Sequence, residues 1–291
     1  MPTLKEIKGR IGSVQNTLKI TSAMKLVSSA KLRKAQTAIE NMRPYQQKLQ
    51  EILTLAGGTS SCDAPQSSCA APQSSFAGLT GEPNASPVVI VAMASNSSLC
   101  GGFNANAIAK AKAVLKEHPN ATVYSIGRKM ADAMRKAGYP SPKDFTSLSE
   151  HPSYAPVSEL VDKFIEDNVD VILVYNHFVS TGKQVPVVEP LISSVIPSEV
   201  EESHKDEDVI VEPSRKELLE ALYPKTLKIK LFAALLDSAA AEHAARTVAM
   251  QTATDNGEDL LAELTLQYNK GRQQKITNEI LDLAGGQQGR D

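Results

Sequence analysis

The sequence has 291 residues, 42% of them hydrophobic, with only 4% aromatic, no tryptophan and a formal net charge of -2. That is enough chain for one or two domains with a real core, and the near-neutral balance excludes a nucleic-acid binder that works by overall charge. Three cysteines, an odd count, exclude a disulfide scaffold and fit a reducing compartment. No run approaches the roughly 20 apolar residues of a membrane span, and the N-terminus has no signal-peptide apolar core.

In chain order, residues 1–56 predict a single helix. Glycine and proline are absent from it except at Gly9, Gly12 and Pro44. Leu4, Ile7, Ile11, Val14 and Leu18 follow the three-and-four spacing of a coiled-coil seam. The stripe then drifts through Met24, Val27, Leu32, Ala35, Ile39 and Met42 to Leu49, Ile52 and Leu53. The segment is strongly basic. Lys5, Lys8, Arg10, Lys19, Lys25, Lys31, Arg33, Lys34, Arg43 and Lys48 stand against only Glu6, Glu40 and Glu51. A face of this kind is either solvated or seeks an acidic partner, a nucleic acid or an anionic membrane surface.

Residues 57–87 are low in complexity and carry the imperfect repeat CDAPQSS and CAAPQSS. Cys62 and Cys69 are separated by six intervening residues, the wrong spacing for a tight CxxC metal or redox pair, so the segment reads as a surface linker. Residues 88–196 predict a small α/β, Rossmann-like domain with a mostly parallel sheet. Strands are expected at Val88–Ala94, Thr122–Ile126 and Val169–Phe178, with an antiparallel edge strand at Gln184–Leu191. Helices are expected at Asn104–Glu117, Arg128–Lys136 and Val157–Asp167. Residues 197–213 form an acidic, solvated excursion.

Residues 214–291 complete the chain as a second helical segment. A short helix, Ser214–Leu222, is expected to carry a serine cap. Pro224 then opens a helix reaching about Gly285, on the order of 90 Å at about 1.5 Å per residue. A helix so long needs a neighbour, and the N-terminal helix is the available one. Its seam is expected to use Ile229, Phe232, Leu235 and Leu236, then an alanine zone from Ala239 to Ala249, then Leu260, Leu264, Tyr268, Ile276, Ile280 and Leu283. The fold class is therefore α/β: a long antiparallel coiled coil of the terminal helices plus a central small α/β domain.

Few motifs carry chemistry. SLCGGFN (98–104) sits between a strand and a helix, where phosphate loops sit, but it is neither GxGxxG nor a Walker sequence. Two glycines there serve tight packing, and Cys100 reads as a buried thiol rather than a nucleophile. His118, His151, His177, His204 and His243 show no paired spacing, and His177 beside Asn176 reads as a satisfied edge histidine. Asp255, Glu258 and Asp259 lie on a rod that offers no pocket for acid–base work. The segment Asp255-Asn256-Gly257 reads as a polar, locally flexible stretch of interface.

Three blocks together carry a resemblance: IKGRIGSVQNTLKITSAMKLVSSAKLRKAQ (7–36), SLCGGFN (98–104) and AAEHAARTVAMQTATDNGEDLLAELTLQYNKGRQQKITNEI (240–280). Over nearly its whole length the chain resembles the gamma-subunit family of the F-type rotary ATP synthases. The resemblance implies a non-catalytic central-stalk rotor of a proton-translocating complex, without a cofactor or metal of its own. It would transmit torque between the membrane rotor ring (the c-ring) and the catalytic alpha/beta hexamer, and regulate that hexamer. Implied partners are the alpha, beta and epsilon subunits and the c-ring, with no nucleic acid and no direct membrane span. Met24 and Lys25 match the place where the first helix meets an acidic lever of beta, with Arg33 and Lys34 adding complementary charge. Arg246, Gln273 and Thr277 match C-terminal positions that make polar contacts with beta. Asn96, Ser97 and Ser98 depart from the family's Asp-Arg-Gly. The excursion at 197–213 lacks the cysteine pair of chloroplast members, so thiol control of that type is not expected. No transit peptide precedes Met1, which implies a peripheral protein on the cytoplasmic side of a bacterial inner membrane.

Two rival readings make different predictions. A nucleic-acid or membrane-surface protein built on the basic helix would bind DNA or anionic vesicles with steep salt dependence. An enzyme with a nucleotide site at SLCGGFN would bind ATP or NAD as the isolated chain.

Overall fold

The computed structural model describes residues 3–55, 87–143, 145–192 and 214–287. Most of the 57–87 segment, including Cys62 and Cys69, and the whole 197–213 excursion lie outside the described residues. The elements run α1 (Leu4–Leu55), β1 (Val88–Met93), α2 (Phe103–Glu117), β2 (Thr122–Ile126), α3 (Arg128–Lys136), α4 (Thr146–Glu150), α5 (Tyr154–Glu166), β3 (Asp170–Ser180), β4 (Lys183–Ile192) and α6 (Arg215–Gln287). The chain forms two compact units, Met1–Ala30 with Arg246–Asp291, and Lys31–Ala245. Both terminal helices contribute to each unit.

In the Lys31–Ala245 unit the sheet order is β2-β1-β3-β4. β1 pairs in parallel with β2 and β3, and β4 closes one edge antiparallel to β3. The parallel strands are apolar on both faces because helices cover both. One face presents Val89, Val91, Met93, Tyr124, Ile126, Val171, Leu173 and Tyr175 to α4, α5 and the Leu227–Leu235 stretch of α6. The other presents Ile90, Ala92, Ala94, Val123, Ile172 and Val174 to α2 and α3. Pro186 and Pro190 fall on β4, where an edge strand tolerates a missing N–H.

α6 differs from expectation. There is no short helix ending at Leu222 followed by a new start at Pro224. One 73-residue helix runs through Pro224. Its start is capped at Ser214, whose Oγ accepts the Glu217 backbone N–H at 3.2 Å. A proline inside a helix removes one backbone bond and crowds the preceding turn. Here the half-buried Leu218, Leu219 and Leu222 continue into buried Leu227 and Leu231, so one apolar stripe spans the proline. Thr226 Oγ1 also donates to the Leu222 carbonyl at 3.0 Å, supplying a bond in that turn.

The same stretch corrects the expected seam. Leu235 and Phe232 pack with the sheet's core. α6 meets α1 in this unit through small residues, with Leu32 seated on Ala240 and Ala244 beside Ala35 and Ile39.

Candidate partner interface

In the unit formed by Met1–Ala30 and Arg246–Asp291, the two helices run antiparallel. Leu4 faces Gly271, Leu18 faces Gly257, and Thr254 Oγ1 donates to Thr21 Oγ1 at 3.1 Å. As one number rises the other falls in step, so the register is fixed along the pair. A Cβ built on Gly257 would lie 2.7 Å from Leu18 Cδ2, and one on Gly271 would lie 3.2 Å from Leu4 Cδ2. Gly257 is thus a hole for a leucine knob within an unbroken helix.

The inward stripe of α1 also does not drift after Leu18. It keeps its heptad through Thr21, Lys25 and Ser28 to Leu32. Ser28 is 3% exposed, whereas the expected seam residue Val27 is 56% exposed. On α6 the corresponding positions are Met250, Thr254, Gly257, Leu261, Leu264, Tyr268 and Gly271. Leu261 takes the place expected of Leu260, which is 45% exposed. The seam ends at Gly271 because α1 starts opposite it, so Ile276 and Ile280 are exposed rather than paired. The side chain of Leu283 lies outside the described residues.

The result is an apolar exterior. Ile20, Leu26 and Val27 on α1, and Leu260, Leu266, Ile276, Ile280 and Leu281 on α6, all project outward. Sequence reading missed this because it assigned Val27, Leu260, Ile276 and Ile280 to the seam and gave Ile20, Leu26, Leu266 and Leu281 no place. The heptad count, carried strictly through Thr21, Lys25 and Ser28, was the signal available.

The five expected contact residues of this unit do not form one cluster. Met24 and Lys25 are half-buried on α1. Arg246 is 8% exposed, covered by its own chain. Gln273 and Thr277 are exposed one turn apart on α6, with Thr277 Oγ1 donating to the Gln273 carbonyl at 2.9 Å. They stand 27 residues and more beyond Arg246, about 40 Å along a helix. Arg33 and Lys34 are exposed on the part of α1 that belongs to the other unit.

In that other unit the SLCGGFN turn is anchored by two of its own side chains. Cys100 and Phe103 are buried against Ala241 and Ala245 of α6, with Phe178 alongside. Leu99 and Gly101 adopt positive φ, 69° and 56°, which folds the turn tightly. Asn104 Oδ1 accepts the Ser95 N–H at 3.1 Å and the Ser95 hydroxyl at 2.9 Å. Buried Asn176 donates from Nδ2 to the Phe103 carbonyl at 3.1 Å. These bonds tie the turn to β1 and β3. Nearby, Asp237 of α6 accepts from both His177 Nδ1, at 2.5 Å, and the Phe178 backbone N–H, at 3.2 Å. The hydrogen bond to Asp237 raises the His177 pKa, against an opposing effect of burial. The charges of Asp237 and Glu189 raise it further, and Arg43 lowers it. Among the described residues no cluster of His, Cys, Asp and Glu is arranged to hold a metal, and no helix is long and apolar enough to cross a membrane.

A family model described as ATP synthase matches residues 3–289. The ATP synthase gamma chain of Phocaeicola vulgatus is 46% identical over 299 residues, covering 98% of this chain and 99% of that one. The chain belongs to the ATP synthase gamma-chain family. The gamma chain of Christiangramia forsetii is 40% identical, with 98% of each chain covered. Among solved structures, the rotor of the Euglena gracilis mitochondrial ATP synthase aligns with a TM-score of 0.63 at 18% identity, covering 94% of this chain and 98% of that one. The central stalk of the Tetrahymena thermophila enzyme aligns with a TM-score of 0.54 at 20% identity, covering 80% and 99%. These distant likenesses extend the shared fold beyond bacteria.

Proposed function

We propose that this chain is the rotor of its ATP synthase, a central-stalk subunit that carries torque between a membrane rotor ring and a catalytic alpha/beta hexamer and does no chemistry itself. The observation that carries the reading is the apolar exterior of the paired helices. Ile20, Leu26 and Val27 on α1, and Ile276, Ile280 and Leu281 on α6, expose apolar side chains where a lone water-soluble rod would be polar. A surrounding sleeve of other subunits accounts for them. Apolar contact is non-directional, so it seals the helices without fixing one angular position. Directional contacts then belong to a few polar side chains. Met24 and Lys25, with the cationic Arg33 and Lys34, would meet an acidic surface of beta. Gln273 and Thr277 would meet beta near the end of α6. Arg246, already covered by its own chain, would act there by holding the helix pair in register.

The catalytic nucleotide sites belong, on this reading, to the alpha and beta subunits. Cys100 and Phe103 of the SLCGGFN turn are buried against α6, which supports a packing role for the turn over the nucleotide-site rival. The chain would sit at the cytoplasmic face of a bacterial inner membrane, held there by the rotor ring and an epsilon subunit. The test is a reconstituted complex carrying a deletion of residues 1–36. ATP hydrolysis that persists while ATP-driven proton pumping is lost is the expected result. Intact pumping would refute a torque role for α1. Tight ATP or NAD binding by the isolated chain would favour the enzyme reading instead.

A further inference from the structure

We propose that Lys228, Lys230 and Asp237 are positioning residues that stop α6 from rolling about its own axis on the sheet. This rests on the rotor reading, in which α6 must pass twist to the α/β domain. Residues 215–245 of α6 lie in the Lys31–Ala245 unit, and the same helix continues as residues 246–287 of the other unit. Leu227, Leu231, Ala234 and Leu235 bury its apolar stripe in the sheet's core. An apolar stripe resists lifting, but it is non-directional and resists rolling poorly.

Three directional contacts flank that stripe. Lys228 Nζ pairs with Asp162 Oδ1 of α5 at 2.6 Å. Lys230 Nζ donates to the Pro190 carbonyl of β4 at 2.9 Å. Asp237 accepts from His177 and the Phe178 N–H of β3. At about 100° per residue, Lys228 lies roughly 75° to one side of the stripe, while Lys230 and Asp237 lie roughly 85–105° to the other. Rolling either way therefore stretches a contact. The side chains of Lys228 and Asp237 are only 16% and 18% exposed, while their partners Asp162 and His177 are 47% and 51% exposed, so two of the contacts are shielded on the α6 side alone.

The inference is tested in an assembled alpha/beta/gamma complex jammed by a non-hydrolysable nucleotide. A bead is attached through Lys112→Cys on the exposed face of α2, in a chain also carrying Cys62→Ser and Cys69→Ser. Lys228→Met keeps the apolar stem and removes the charge. With one of two flanks released, the variance of the bead's angular fluctuation is expected to rise about twofold, while hydrolysis in the unjammed complex is unchanged. Lys230→Met combined with Asp237→Asn should do the same from the other side. The charge reversal Lys228→Asp with Asp162→Lys should restore the wild-type variance, which a merely structural role would not require. Unchanged variance in assembled variants overturns the inference, as does failure of Lys228→Met to assemble, since the pair would then serve folding. A wild-type bead that does not rotate under ATP overturns the rotor reading first, and this inference with it.

Discussion

Gly257→Ala tests the close approach of the helix pair. In an open helical position alanine gains about 1 kcal/mol over glycine. Gly9 and Gly12 of α1 are such positions, because a Cβ at either meets nothing within 4 Å. At Gly257 the new Cβ would lie 2.7 Å from Leu18 Cδ2 and 3.3 Å from Leu18 Cγ. The obstacle is a leucine side chain, so relief comes from an off-rotamer χ angle or a small separation of the helices, costing about 1–2 kcal/mol. The two effects nearly cancel. Gly257→Ala should therefore leave stability unchanged or lower it by up to about 1 kcal/mol, while Gly9→Ala raises it by about 1. In a Leu18→Ala background the obstacle is gone, and Gly257→Ala should then stabilise by about 1 kcal/mol, giving a coupling of about 1–2 kcal/mol. Hydrogen exchange of the amides at 250–264 reads local opening directly, which suits a helix whose ends need not melt with the rest. Gly257→Ala protecting this segment as strongly as Gly9→Ala protects its own would refute the knob-in-hole packing.

Gly127→Ala should prevent the α/β domain from folding. The residue has φ +97°, and its Cβ would lie 2.0 Å from the Ala94 carbonyl oxygen, backbone that cannot step aside, so near-ultraviolet dichroism and soluble yield should both collapse. Ser214→Ala removes the hydroxyl that accepts the Glu217 N–H and should cost about 1 kcal/mol, read as faster exchange confined to the first turns of α6. The raised pKa of His177 means the protonated ring is favoured in the folded state. Its contribution is fully present below the ordinary value of 6.5 and is lost as pH rises through the higher folded value. Stability should therefore fall across the range just above 6.5, and this dependence should vanish in His177→Asn, as followed by thermal melts at several pH values.

Much of the α/β domain was legible because its signals are local. Val88–Met93 and Val171–Val174 are uninterrupted apolar runs rich in β-branched residues, and a strand buried on both faces leaves little other reading. The helix pair was legible in outline, from length without glycine or proline, but its register was not. Thr21, Lys25 and Ser28 hold seam positions that hydrophobicity does not flag, while Leu26 and Val27 beside them point outward. Pro224 misled for a related reason. A local rule for helix starts competed with an apolar stripe running through Leu219, Leu222 and Leu227, and packing on the sheet prevailed.

These misreadings share one physical origin, and it bears on function. In a self-contained protein, binary pattern and burial agree, so a large exposed apolar residue is a poor guess. In a subunit made to be surrounded, the pattern serves two interfaces, one within the chain and one with its neighbours. The seam can then use threonine, serine and glycine, which permit close approach, while leucine and isoleucine go outward. The disagreement between hydrophobicity and burial at 20–28 and 260–281 is therefore itself a marker of the interface. Replacing Ile20, Leu26 and Val27 together by glutamine separates the two roles. Paired-helix stability should change by less than about 0.5 kcal/mol, as expected of exposed positions. Assembly with alpha and beta subunits should weaken, read by co-purification yield. A loss of helix-pair stability with assembly intact would mean that these side chains serve the chain's own packing, and the outward face would then say nothing about partners.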